Sequence, residues 1–92
     1  MDKKEVKIKI EDKDLKGYYA NLMLVRHTKE EFCLDFVNTF NPPILTSRIL
    51  TSPGHLKRMV KALKENIDVY EKEHGTIEEA EKKEEPELGF RP

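Results

Sequence analysis

The chain has no tryptophan, no glutamine, one cysteine and only 4 glycines in 92 residues. A single cysteine excludes a disulfide within the chain, so no covalent staple holds the fold. The histidines His27, His55 and His74 never stand four apart, and no Cys-x-x-Cys occurs, so the spacing of a zinc site is missing. No metal and no cofactor is expected. No apolar run approaches the roughly 18 residues of a membrane span. The opening Met-Asp-Lys-Lys-Glu lacks the apolar region of a signal peptide. A cytoplasmic protein with no membrane partner is expected. Charge of one sign is also missing, because the net is -1. Bulk electrostatics therefore force neither a nucleic acid nor a membrane on the chain.

What is present is lysine and glutamate, thirteen of each. Enrichment in both, with few thermolabile side chains, is the thermophile pattern. The two signs are unevenly placed. Residues 1–75 hold fourteen Lys or Arg against twelve Asp or Glu, and residues 76–92 hold three against six. The patterning assigns residues 1–75 to a single α+β domain and 76–92 to an acidic, flexible tail. A domain of roughly 70 residues is near the size at which one core gives only a few kcal/mol, and oligomerisation is a common remedy.

Residues 5–11 alternate strictly, with Val6, Ile8 and Ile10 on one face, and read as a lysine-bearing edge strand. Residues 12–17 have turn chemistry, with Gly17 able to supply a positive φ. A second strand is expected over 18–27. Its two faces are both largely apolar: Ala20, Leu22 and Leu24 on one, Tyr19, Met23 and Val25 on the other. A short polar turn at 28–30 leads to a third strand over 31–38, making an antiparallel hairpin. There Phe32, Leu34 and Phe36 alternate with Cys33, Asp35 and Val37. Pro42 and Pro43 interrupt pairing, and a fourth strand is expected over 44–50.

The helix follows. Thr51 or Ser52 can cap it, Pro53 suits its first turn, and Gly75 can end it. Leu56, Met59, Val60, Leu63, Ile67 and Tyr70 form one apolar stripe. The expected fold is therefore a four-stranded antiparallel sheet followed by one long helix packed on one face. Such a helix covers one sheet face only. The other, with Tyr19, Met23, Val25 and Val37, needs a second cover, and sheet-to-sheet packing in a homodimer or higher oligomer supplies one. Left open, that face would be an aggregation-prone patch.

Catalysis finds little footing. Cys33 with His27 or His55 offers a thiol and an imidazole, but no nucleophile, base and orienting group stand in a recognisable set. Ser47 and Ser52 lie in no nucleophile-elbow sequence. Lys57, Lys61 and Lys64 share one helix flank with Arg58 beside them, and Glu65, Asp68 and Glu71 balance them. Such a mixed-sign flank reads first as a solvated face, and alternatively as a binding edge for an acidic peptide or a nucleic-acid backbone. Tyr18, Tyr19, Phe32, Phe36 and Phe40, with Arg26 and Arg48, resemble the stacking set of a single-strand binder, although the basic excess is missing.

Two stretches carry a family likeness. Residues 19–36, Tyr-Ala-Asn-Leu-Met-Leu-Val-Arg-His-Thr-Lys-Glu-Glu-Phe-Cys-Leu-Asp-Phe, and residues 47–59, Ser-Arg-Ile-Leu-Thr-Ser-Pro-Gly-His-Leu-Lys-Arg-Met, resemble the prokaryotic family labelled domain of unknown function 3467. The likeness runs from about Gly17 to Gly75. It matches Asn21, His27, Asp35, Arg48, His55 and Asn66 but implies no role for them. The β-β-β-β-α order is also similar in architecture to the export chaperone SecB. A non-enzymatic, oligomeric module that binds a protein or peptide, chaperone-like in action, is the leading expectation. A nucleic-acid binder using Lys57, Arg58, Lys61 and Lys64 is the alternative.

Overall fold

The structure, a computed structural model, describes residues 4–40 and 42–80. Its regular elements are β1 (Leu22–His27), β2 (Phe32–Asn38), β3 (Ile44–Thr51) and the helix α1 (Pro53–His74), with a single turn of 3-10 helix at Asp12–Asp14 before them. The three strands form one antiparallel sheet in the order β1-β2-β3. The protein is thus α+β, with three strands among the described residues rather than the expected four.

The missing strand is the first. Residues 4–11 make no ladder hydrogen bonds, and Val6 and Ile8 are 79% and 86% exposed. Strict alternation marks a segment able to pair, but a strand has no internal hydrogen bonds and exists only against an edge. The second strand is also shorter than expected, beginning at Leu22 and not at 18. Tyr18 follows the positive-φ Gly17, and its hydroxyl donates to Asp14.

Local chemistry accounts for the joints. Thr28 closes the β1–β2 hairpin: its backbone N–H donates to the Glu31 carbonyl, and its hydroxyl accepts from the N–H groups of Glu30 and Glu31. At the other end, Asn21 takes over where the ladder stops. Its side-chain amide donates to the Thr39 hydroxyl at 2.8 Å and its carbonyl accepts the Thr39 N–H at 2.9 Å. Beyond that clasp, the rings of Tyr19 and Phe40 stack with centroids 5.9 Å apart. Between β2 and β3 the register shifts at Phe36/Val37, leaving Thr46 as the extra residue; its hydroxyl donates to the Phe36 carbonyl.

Ser52 caps α1, accepting the His55 N–H, and Gly75 ends it at φ 94°, its N–H donating to the Glu71 carbonyl. Both ends lie where the patterning puts them. No residue of α1 is buried. The chain divides into two compact units, Met1–Met59 and Val60–Pro92, so the division falls inside the helix. Residues 75–80 carry no regular structure, and the rest of the acidic tail lies outside the described residues. Among the described residues, no helix is long and apolar enough to cross a membrane.

Candidate functional site

Residues opposite one another on antiparallel strands point to the same face. The register therefore sorts the sheet. Leu22, Val37 and Leu45 share one face with Leu24, Asp35 and Arg48, and with Arg26, Cys33 and Leu50. Met23, Phe36 and Ser47 share the other with Val25, Leu34 and Ile49, and with His27, Phe32 and Thr51.

The first face centres on Asp35, which is 1% exposed. Arg48 of β3 grips its carboxylate with two parallel bonds, Nε to Oδ1 at 2.7 Å and Nη2 to Oδ2 at 3.0 Å. Arg26 of β1 adds Nη2 to Oδ2 at 3.0 Å, and the Cys33 thiol donates to Oδ1 at 3.5 Å. One carboxylate thus ties all three strands together. The hydrogen bond from Arg48 is the main reason the Asp35 pKa lies below its ordinary value; burial opposes the shift, and Cys33 and the charges of Arg48 and Arg26 reinforce it. A carboxylate held ionised and surrounded by donors is a clamp and a poor proton acceptor. Cross-strand register alone brings these residues together, so nothing in their spacing along the sequence announces the cluster. The sign was only that a charged residue, Asp35, sits mid-strand between Leu34 and Phe36.

The thiol–imidazole pairing is not formed. His27 lies opposite Phe32, ring centroids 5.2 Å apart, whereas Cys33 lies opposite Arg26 on the other face. A shallow open pocket of about 140 Å³ at the hairpin end is lined by Arg26, His27, Thr28, Glu31 and Cys33. His55 sits in the first turn of α1, and the Ser52 hydroxyl is engaged as its cap. Among the described residues, no group of three or more His, Cys, Asp or Glu side chains could hold a metal ion.

The apolar surface is the larger feature. The buried hydrophobic residues among those described are Leu34 and Val37, one on each face of β2. Met23, Val25 and Ile49 surround Leu34 on its face and remain about half exposed. Of the four residues expected at an oligomer interface, Met23 and Val25 therefore lie together. Tyr19 is exposed beyond the strand, stacked on Phe40, and Val37 is buried on the opposite face beside Leu22. Val60, Leu63, Ile67 and Tyr70 of the helix stripe are all exposed. Lys57, Arg58, Lys61 and Lys64 are exposed as well, and among the described residues none of the four forms an ion pair.

The sequence model of one family, described as "Protein of unknown function (DUF3467)", matches residues 1–79. The match takes in residues 4–11 as well as the stretch from Gly17 to Gly75, so the unpaired N-terminal segment lies within the family's shared region. No curated protein and no solved structure matches the chain, and the SecB likeness has no support beyond the order of elements, itself one strand short.

Proposed function

The chain belongs to the DUF3467 family, whose description assigns no activity, and from that premise we propose a non-enzymatic, homo-oligomeric cytoplasmic module that binds an extended segment of a protein or peptide. The observation that carries this reading is the imbalance between core and surface. Among the described residues, two buried hydrophobic residues stand against Met23, Val25, Ile49 and, from the helix stripe, Val60, Leu63, Ile67 and Tyr70, all open to solvent. Fully burying one such side chain is worth about 1.5–3 kcal/mol, so a surface of this size strongly favours a second cover.

Strand edges supply the binding mode. β1 and β3 are both edge strands, each with one row of unpaired N–H and C=O groups among the described residues. An extended peptide can add to such an edge, with main-chain bonds giving affinity and side chains such as Val25 or Ile49 reading the apolar positions. The clamp at Asp35 would keep the sheet rigid while its edge is engaged.

Nucleic-acid binding is the second reading, favoured by the exposed cations Lys57, Arg58, Lys61 and Lys64 of α1. The two are separated by fluorescence anisotropy with a labelled, permanently unfolded polypeptide and a labelled single-stranded oligonucleotide. The peptide-binding reading expects saturable binding of the polypeptide, little changed by salt and weakened by Val25→Lys. Oligonucleotide binding that falls steeply with salt and is lost in Lys61→Ala/Lys64→Ala would replace it with the second.

A further inference from the structure

We infer that α1 pairs antiparallel with α1 of a second copy of the chain, through Val60, Leu63, Ile67 and Tyr70. The inference rests on the homo-oligomeric part of the proposed function and names the contact. These four residues are spaced three, four and three apart, the a/d alternation of a helix seam, with β-branched residues at a and Leu and Tyr at d. All four are exposed, Leu63 by 64%.

Charge selects both the partner and its direction. Residues 57–64 of α1 carry Lys57, Arg58, Lys61 and Lys64, and residues 65–74 carry Glu65, Asp68, Glu71 and Glu73 with Lys72 and His74 among them. No acidic residue occupies the first turn. The cations near the N-terminus oppose the helix macrodipole, which favours anions there, while Lys72 and His74 in the last turn suit it. Lys61 and Glu65, and Lys64 and Asp68, are four apart in the less favourable order and form no ion pair. A helix so divided is complementary to itself when reversed. Antiparallel pairing sets the basic stretch 57–64 of each helix beside the mainly acidic stretch 65–73 of the other and opposes the two macrodipoles.

The seam then fixes the register. Val60 packs against the partner's Tyr70, and Leu63 against the partner's Ile67. At the flanking e positions Lys57 meets the partner's Glu71, twice by symmetry. Lys64 meets the partner's Lys64 near the two-fold axis, where both long side chains can splay into water. Parallel pairing would instead bring Met59 to the partner's Lys64 and Asn66 to the partner's Glu71, with no opposite charges matched.

Analytical ultracentrifugation of the full chain and three variants tests this, with circular dichroism to confirm that each keeps its helix. Leu63→Glu is expected to raise the dimer dissociation constant by about a hundredfold, and Lys57→Glu by about tenfold. Adding Glu71→Lys to Lys57→Glu is expected to restore the original value. Within one helix these two positions are about 21 Å apart, too far for contact, so the rescue can only come from an antiparallel neighbour. An oligomer that ignores Leu63→Glu, or a double variant no tighter than Lys57→Glu alone, overturns the helix pairing while leaving the oligomeric reading in place. A wild-type monomer overturns both.

Discussion

Arg48 holds Asp35 by two parallel hydrogen bonds across the β2–β3 pair, and Arg26 approaches the same carboxylate from β1. The carboxylate is almost fully buried while both guanidinium groups keep a solvent-facing side. Asp35→Ala removes the anion and leaves two cations side by side. The expected loss is about 2–3 kcal/mol, below the usual cost of breaking a buried pair because the arginines can be solvated. Urea unfolding at fixed protein concentration measures it as a lower midpoint.

The same contact makes stability depend on pH. The folded-state pKa of Asp35 is depressed, so its contribution is present above the ordinary carboxylate value of 3.8 and is lost as pH falls below it. Asp35→Asn is expected to be less stable than the parent at neutral pH and to show a shallower loss on acidification. Thermal unfolding between neutral pH and pH 2 compares the two slopes.

Asn21 clasps Thr39 through two hydrogen bonds at the open end of the β1–β2 ladder. Asn21→Ala removes both, at an expected cost of about 1–2 kcal/mol. Hydrogen exchange should quicken first at Asn21 and Thr39, ahead of the amides in the middle of β2.

Ser52 caps α1 through the His55 N–H at 3.2 Å. Ser52→Ala is expected to cost about 1 kcal/mol, and Ser52→Gly only a few tenths. Chemical denaturation of the two variants, followed by helix ellipticity, gives that order.

The helix was legible to its ends because capping is local: Ser52, Pro53 and Gly75 each act within one turn. The β1–β2 hairpin was legible for the same reason, through Thr28. Residues 4–11 read as a strand but pair with no edge among the described residues, because alternation reports a face and says nothing of the edge a strand must find. The register of Val37 escaped too. Its pairing with Leu22 and Leu45 separates it from Met23 and Val25, and that sorting depends on strands already aligned. The Asp35 cluster was hidden for the same cause, since its arginines lie 9 and 13 residues away along the chain. The surplus of apolar surface, by contrast, was plain along the second strand, whose two faces are both apolar; the helix stripe reads as a cover for the sheet, yet Val60, Leu63, Ile67 and Tyr70 are exposed.

The proposed assembly can be read from sedimentation equilibrium at micromolar concentration. A dimer or larger species is expected, with exposed Leu63 as the position where a charge shifts the mass toward monomer. A wild-type chain that sediments as a folded monomer across that range would overturn homo-oligomerisation.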